Sequence, residues 1–375
     1  MSSQSISIKL GIICFLVFLD AIGYGVVIPS LPLLAPDVSV LMLGLLFGFY
    51  AITSLVSLLP IGWLCDNVGR KSVIIFGTVC YTLASVSFVF ADSLTTLFIA
   101  RGLQGIGGAS LWTGALAMIS DMMEMGKAGR MTSYVMFSFG LGAILGPGIG
   151  TLGSLRFPFV LLTVFGISSI LMSLLITDDH RKCVQWKPTV HKEKIVLVLL
   201  LNVLIVAIVF GAIEGHIPKF LYIEGLERRI VGVVFMVMGI IHTFVQLPVG
   251  VLIDKFGERR VIITGFCVSI GFLLPIPFVG IWWLIVLLIC AGATLTMVMT
   301  PTTSALGKHA PPSQRGLSMS MYNASWSTGY VLGPLMGGAV IEAMSYPALF
   351  YMCASVLLVS AIVFIGEYRN KNGSK

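Results

Sequence analysis

The sequence predicts an all-α membrane protein with twelve transmembrane helices in two pseudo-symmetric six-helix bundles. Of its 375 residues, 57% are hydrophobic and 10% are charged, whereas soluble domains are about 45–50% apolar and about 25% charged. So few charged side chains cannot cover a large soluble protein, but a surface that faces lipid needs almost none. Twelve helices of about 20 residues leave about 135 residues for tails and loops, so the prediction includes no soluble domain.

Apolar runs of spanning length, bounded by charged residues or by Gly and Pro, predict the twelve helices in two groups. The first group covers residues 8–29, 41–64, 72–91, 95–120, 132–153 and 157–177. The second group covers residues 195–217, 230–253, 260–280, 282–306, 316–341 and 346–366. Between them lies the longest polar stretch of the chain. The predicted domains are therefore an N-terminal bundle, a cytoplasmic linker and a C-terminal bundle, at residues 1–177, 178–194 and 195–375.

The distribution of basic residues predicts the orientation in the membrane. If both termini are cytoplasmic, 18 of the 23 Lys and Arg residues lie in cytoplasmic segments, four lie outside and Arg101 lies inside a helix. This bias follows the positive-inside rule. It accounts for the net charge of +7 without a nucleic-acid partner. The short loops favour a cell inner (plasma) membrane.

An internal repeat relates the two halves. Residues of the first half recur about 188 positions later, with Pro60, Gly62, Asp66 and Gly69 as Pro248, Gly250, Asp254 and Gly257, and Gly146-Pro147 as Gly333-Pro334. Six helices per repeat is an even number, so both copies enter the membrane with the same orientation. That plan is typical of alternating-access carriers with a central site between the halves. Since one chain supplies both halves, we expect a monomer.

Three motifs carry a resemblance to a known family. Residues 62–71 read GWLCDNVGRK, similar to a G-x-L-a-D-r-x-G-r-k loop, and residues 101–107 read RGLQGIG, similar to R-x-x-q-G-x-g. Residues 142–150 read GAILGPGIG, similar to the G-x-x-x-G-P-x-x-G-G antiporter motif. On these residues the chain resembles the major facilitator superfamily, and within it the twelve-helix drug/proton antiporters that include tetracycline and multidrug exporters and vesicular monoamine transporters. The resemblance implies proton-coupled export of small amphipathic or cationic compounds, driven by a proton gradient and without a cofactor.

The loop after the second helix is interpreted as a cytoplasmic gate. Its glycines permit close helix approach and a sharp turn, and Asp66 can pair with Arg70 or accept from a helix terminus. Such a cluster can hold the two halves together in one conformer and release them in the other. The alternative is a solvated, positively charged loop. The predicted gate residues are Gly62, Asp66, Gly69, Arg70, Lys71 and, in the second half, Asp254.

Three ionisable residues inside predicted helices, Asp20, Arg101 and Glu214, are candidates for proton coupling. Each costs about 2.5–3.5 kcal/mol on insertion scales, so such residues usually face a cavity and mark an ion or substrate path. Asp20 suits reversible protonation, unless it is a hydrogen-bonded structural acid. Glu214, nearer the outer face, would bind a proton or a substrate cation, unless it only pairs with Lys219. Arg101 would pair with a carboxylate across the bundle or extend to the outer interface.

Polar and aromatic side chains in the spans complete the predicted substrate site. Most aromatic residues in such a chain face lipid or pack between helices, and a lone His more often satisfies packing. Vesicular monoamine transporters carry acids on helices 10 and 11, where this chain has Thr296 and Asn323. The predicted substrate-binding residues are Asp20, Gln104, Asn202, Glu214, Tyr322, Asn323 and Trp326.

The glycines and the proline of the fifth helix allow a kink and a close helix crossing. Tight packing alone is one interpretation of this motif. The resemblance implies a second one, a bias toward export. The residues concerned are Gly142, Gly146, Pro147 and Gly150.

The sequence lacks the motifs that are typical of other function classes. The chain has neither the H-E-x-x-H metal site nor the G-x-S-x-G turn of hydrolytic enzymes, and no G-x-x-x-x-G-K-[ST] loop of a nucleotide-driven pump. We therefore expect a transporter rather than an enzyme, with protons, a small molecule and the lipid bilayer as partners and no bound metal. The alternatives are an exporter or proton symporter of a siderophore, sugar or amino-acid derivative, and a non-transporting membrane sensor.

Overall fold

The described chain is almost entirely helical. A computed structural model describes residues 3–123, 128–177, 194–309 and 315–373, which hold twelve α-helices, one short 3-10 helix and no strand. The first six are α1 (Ser3–Leu34), α2 (Val40–Asn67), α3 (Arg70–Val89), α4 (Leu94–Met123), α5 (Ala128–Ile149) and α6 (Phe157–Leu174). The others are α7 (Lys194–Ile223), α8 (Arg228–Phe256), α9 (Glu258–Leu273), the 3-10 helix Ile276–Phe278, α10 (Ile281–His309), α11 (Arg315–Ala343) and α12 (Tyr346–Gly373). The predicted all-α fold with twelve helices is confirmed.

Nine helices within the described residues are long and apolar enough to cross a membrane. Of the other three, α4 and α11 are rich in Gly, Ser and Thr, which lowers their hydropathy, and the apolar part of α5, Ser133–Ile149, is shorter than the nine spans. Large apolar side chains in the spans point outward, as at Leu59 (86% exposed) and Leu247 (73% exposed). Such exposure is costly in water but is the normal state of a surface in lipid. The chain is a multi-pass membrane protein.

Several helices extend beyond their predicted ends because proline does not stop them. Helix α1 continues past Pro29 and Pro32, and α7 continues past Pro218. Proline is tolerated inside membrane helices because neighbouring helices satisfy the backbone groups that it frees. Proline is therefore a poor guide to helix ends in this sequence.

Contacts divide the chain into two compact units, which we call unit 1 and unit 2. Unit 1 contains residues 1–37, 49–185 and 226–236, and unit 2 contains residues 38–48, 186–225 and 237–375. The units differ from the predicted halves by two exchanged segments, because the start of α2 belongs to unit 2 and the start of α8 to unit 1. The predicted linker, except for Lys194, lies outside the described residues.

Glycines explain why the start of α2 packs within unit 2 and the start of α8 packs within unit 1. In unit 2, a Cβ at Gly44 would collide with the carbonyl oxygen of Pro334 on α11. In unit 1, a Cβ at Gly232 of α8 would lie 2.8 Å from the carbonyl oxygen of Pro147 on α5. Without a side chain at these positions, the helix backbones pack directly against each other.

Each unit repeats one packing scheme. In unit 1, α1 packs against α5, and α3 packs against α4 and α6. In unit 2 the equivalent pairs are α7 with α11 and α10 with α9. The apolar core of unit 1 lies between α1, α3, α4 and α5 and includes Ile13, Val17, Ile74, Ala115 and Val135. This core brings the middle of α1 against α4, where several predicted residues lie.

Candidate functional site

Asp20 is enclosed within unit 1, with 7% of its surface exposed. The indole of Trp112 on α4 lies within hydrogen-bonding reach of its carboxyl group. Tyr50 of α2 and Tyr81 of α3 are close enough to interact with it electrostatically. The Tyr81 hydroxyl donates to the carbonyl of Leu19 at 3.0 Å, which joins α3 to α1 beside the acid. Three neighbouring helices therefore supply a polar environment for Asp20.

Arg101 is fully buried on α4 and belongs to the same polar region. Its Nη1 donates to Oε1 of Gln104 at 2.7 Å, and Nε2 of Gln104 donates to the carbonyl of Gly23 at 3.1 Å. Its guanidinium lies 5.0 Å from the ring centre of Tyr50, a cation–π contact. The structure thus links Gln104 to α1 at Gly23 and Arg101 to Tyr50, which also interacts with Asp20, and it holds the cation inside the unit rather than at a helix end.

Glu214 lies half-buried on α7 in unit 2, beside an aromatic row. The Tyr330 hydroxyl donates to its Oε2 at 3.2 Å. The Tyr330 ring lies 5.2 Å from the Trp326 ring, which in turn lies 6.0 Å from Phe210. Lys219, further along α7, donates to the carbonyl of Val38 at 2.7 Å. The carboxylate therefore stands at one end of a row of aromatic rings.

Unit 2 also contains a cavity of about 420 Å³ between α8, α10 and α11. Its size is within the range of small-molecule pockets. Two predicted substrate residues, Tyr322 and Trp326, contribute to its wall, but most of its hydroxyl groups come from α10. The lining residues are His242, Gln246, Thr296, Met299, Thr300, Thr303, Ser304, Tyr322 and Trp326.

The α10 residues of this wall are functional candidates that sequence reasoning missed. Their spacing (296, 300, 303, 304) places four hydroxyl side chains on one helix face. This spacing was the sequence signal from which the cavity wall could have been predicted. However, Ser and Thr in membrane helices often bond to the backbone of their own helix, as Thr303 does to the Met299 carbonyl at 2.9 Å. The pattern by itself therefore does not separate a cavity from ordinary packing.

Five of the seven predicted substrate residues do not line the cavity, and Asn202 and Asn323 are two of these five. Asn202 is fully buried on α7, and its Oδ1 accepts a hydrogen bond from Ser360 of α12 at 2.9 Å. Asn323 is exposed on α11, next to Tyr322. Substrate contact at these two residues stays a prediction.

The predicted gate lies at the turn between α2 and α3. Gly69 has a φ of 115°, which only glycine adopts readily. Asp66 is exposed, whereas Arg70 is buried and its Nη1 donates to the carbonyl of Cys65 at 3.2 Å. Lys71 donates to the carbonyl of Leu174 at the end of α6, at 2.8 Å. At this turn a cation stabilises the negative end of a helix. Gly62 has open space around it.

The equivalent turn of unit 2 is built differently. Asp254 is exposed, and Gly257 has a φ of 80°. Glu258 stands where the repeat has Arg70, and its Oε1 accepts from Ser304 at 2.6 Å and pairs with Lys308 at 2.9 Å. In this unit an acid, rather than a basic residue, ties the turn to its neighbouring helix α10.

The glycine motif of α5 packs directly onto α1. A Cβ at Gly146 would lie 2.7 Å from both the Cα of Gly25 and the carbonyl oxygen of Ile22. One at Gly150 would lie 2.7 Å from the carbonyl oxygen of Val26. Gly142 is equally close to the backbone of α1, and Pro147 follows Gly146 inside the helix. The motif therefore positions the helix that carries Asp20.

Comparisons with known proteins place the chain in a large group of transporters. A sequence model of the Major Facilitator Superfamily matches residues 13–241 and 195–375. The chain is 23% identical to the quinolone resistance protein NorA of Staphylococcus aureus, and the match covers 96% of each protein. It is 28% identical to the class B tetracycline resistance protein of Escherichia coli, and that match covers 88% of this chain and 87% of the relative. A solved bacterial homologue of the human lysosomal transporter Spinster, in an inward-facing and occupied conformation, has a TM-score of 0.81 at 16% identity over 98% of both chains.

Proposed function

Because the chain belongs to the Major Facilitator Superfamily, we propose that it is a proton-coupled antiporter that exports small amphipathic or cationic compounds by alternating access. The observation that carries the proposal is the enclosed Asp20, with Trp112, Tyr50 and the buried cation Arg101 in its surroundings. An intramembrane acid in a polar setting is the usual site of proton transfer in such proteins. The names of two relatives, resistance proteins for quinolones and for tetracycline, support export of foreign compounds.

In this proposal the two acids have different tasks. Asp20 takes up a proton from the outer side and releases it to the cytoplasm, and Arg101 sets how readily the carboxyl group ionises. Glu214, which Tyr330 orients by its hydrogen bond, holds the cationic part of a substrate. Exchange follows if proton and substrate binding favour opposite conformations, because each ligand shifts the equilibrium only by its differential affinity.

The direct test is transport into proteoliposomes under an imposed pH gradient, with a panel of lipophilic cations and neutral drugs. The proposal requires that the gradient drives accumulation of cations. If folded protein moves none of them, the drug-export proposal fails and the search turns to the cell's own compounds. We further propose that the protein acts as a monomer in the inner membrane with both termini in the cytoplasm, an orientation that puts 18 of its 23 basic residues in cytoplasmic segments.

Glu214→Gln is expected to weaken the binding of monocationic substrates about tenfold, because it removes a charge-assisted interaction. Affinity for neutral substrates should change less than about twofold. Competition binding on the detergent-solubilised protein measures both. Glu224→Gln, the same substitution at an exposed site after α7, is the control and should change neither value. An equal loss for cations and neutral compounds would contradict the assigned role.

Asp66→Asn is expected to slow turnover about tenfold with little change in substrate affinity, because a gate controls the rate of conformational exchange rather than the bound state. Initial rates over a range of substrate concentrations separate kcat from KM. Asp37→Asn, in the exposed loop between α1 and α2, is the matched control. A defect confined to KM would argue against gating by Asp66.

A second candidate function is export or proton symport of a polar metabolite. The specific observation that favours it is the cavity of unit 2, where hydroxyl, amide and imidazole groups outnumber apolar side chains. The same proteoliposome assay distinguishes the two functions when sugars and amino-acid derivatives are added to the panel. Uptake with the proton, rather than exchange against it, would identify a symporter.

A further inference from the structure

Three aromatic residues form a stripe along α11 in unit 2. Tyr322, Trp326 and Tyr330 are spaced four residues apart, so they lie on one face of the helix and span about 12 Å along its axis. Their surroundings differ from one end to the other. Tyr330 contacts the carboxylate of Glu214, whereas Tyr322 and Trp326 line the cavity. The stripe therefore connects a negative charge to a pocket that contains uncharged polar groups.

The middle of this stripe offers apolar contact from aromatic rings that are tilted against each other. Trp326 lies 5.2 Å from Tyr330 and 6.0 Å from Phe210, and Phe210 lies 5.4 Å edge-on from His242 of the cavity wall. Rings at these separations form a continuous aromatic surface. A planar group is the chemistry that such a surface binds best.

The cavity end has a mostly apolar surface with hydroxyl, amide and imidazole groups set into it, and its described residues include no acidic side chain, lysine or arginine. None of the nine residues that line it in the described chain is Asp, Glu, Lys or Arg. Glu258, whose carboxylate accepts a hydrogen bond from Ser304 of this wall, is also paired with Lys308. The amide of Gln246 and the hydroxyl of Thr300 remain to interact with a bound molecule, whereas Thr303 donates its hydroxyl hydrogen to the Met299 carbonyl and offers only its oxygen as an acceptor. They suit a neutral group that donates and accepts hydrogen bonds.

We propose, on the basis of the export function above, that the substrates are elongated molecules of about 12 Å with three distinct parts. A cationic end lies at Glu214, a planar aromatic middle packs along Trp326, and an uncharged hydrogen-bonding end occupies the cavity beside Thr300 and Thr303. The cavity end, rather than the acid, then selects among cations. A lipophilic cation without a polar far end is a weaker ligand.

The test uses two synthetic ligands that share an aminomethyl group on a biphenyl ring system and differ only at the far end, a hydroxyl or a methyl group. Their affinities for the purified full-length protein in detergent are measured by calorimetry. The wild type should bind the hydroxyl compound about tenfold more tightly. In the double variant Thr300→Val and Thr303→Val, the hydroxyl compound should fall to the affinity of the methyl compound, whose own affinity changes less than about twofold.

Thr328→Val is the matched control, because the Thr328 hydroxyl bonds to a carbonyl of its own helix at 2.8 Å, as the Thr303 hydroxyl does at 2.9 Å, but Thr328 lies outside the cavity wall. Glu214→Gln should weaken both ligands by the same factor, which separates the two ends of the site. Equal affinity of both ligands for the wild type, an equal loss in the double variant, or binding of neither ligand would overturn the proposal. Proton coupling is measured separately in proteoliposomes, so a selective site without gradient-driven exchange would contradict the proposed antiport and leave the ligand assignment standing.

Discussion

Replacing Asp20 by asparagine is expected to abolish accumulation driven by a pH gradient, a loss of about 100-fold or more that brings it to the level of empty liposomes. Asparagine keeps the size and much of the hydrogen bonding of the carboxyl group, including an acceptor for Trp112, but it cannot carry a proton. Substrate exchange without a gradient should continue, because it requires only the conformational change. Radiolabelled substrate uptake with and without an imposed gradient measures the two activities.

The control for this prediction is Asp37→Asn, the same substitution in an exposed loop, which should transport as the wild type does. Size-exclusion chromatography and thermal unfolding show whether the Asp20 variant is folded. Wild-type flux under a gradient in Asp20→Asn would eliminate Asp20 as the coupling site. Loss of exchange together with coupling, in a folded protein, would instead assign Asp20 to substrate binding or to the conformational change itself.

The site residues that could be predicted from the sequence are ionisable side chains, whose placement inside a membrane helix costs free energy. An acid in the middle of an apolar run, such as Asp20 or Glu214, has few explanations other than a polar enclosure. The structure encloses Asp20 among helices α1 to α4 and gives Glu214 a tyrosine partner. The twelve helices could also be predicted from the sequence, because a membrane requires long apolar segments.

The features that could not be predicted from the sequence depend on contacts between distant segments. The exchange of the α2 and α8 starts depends on Gly44 and Gly232, which pack on backbone atoms of other helices. Glycine gives no periodic signal of such a partner. The turn after α8 is a similar case, because the repeat pointed to Asp254 whereas the structure gives the contacts with α10 to Glu258. A repeat relates positions, but substitution can move an interaction to a neighbouring residue.

The crossing of α1 and α5 is the contact on which the position of Asp20 most directly depends. At Gly146 the two backbones leave no room for a methyl group, because the atoms that it would meet are Cα of Gly25 and the carbonyl oxygen of Ile22. From the other side, a Cβ at Gly25 would lie 2.8 Å from Cδ of Pro147. Backbone atoms cannot rotate away as a side chain can, so the helices must separate.

Gly146→Ala is therefore expected to lower the thermal unfolding midpoint by about 5 °C, since overpacking of a close-packed core costs about 1–3 kcal/mol. Gly146→Leu should yield almost no folded protein. Moving α1 also shifts Asp20 relative to Trp112, so gradient-driven transport by the alanine variant should fall further than its stability alone explains. Fluorescence-monitored unfolding in detergent and uptake in proteoliposomes measure the two effects.

The matched control lies on the same helix. A methyl group added at Gly140 would meet no other atom within 4 Å, so Gly140→Ala should keep or slightly raise the midpoint, because alanine favours a helix over glycine by about 0.5–1 kcal/mol. Gly140→Leu should likewise fold. If Gly146→Ala and Gly140→Ala unfold at the same temperature and transport equally, then the crossing tolerates a wider spacing. In that case Gly146 does not position Asp20, and the coupling site must owe its geometry to its contacts with α2, α3 and α4.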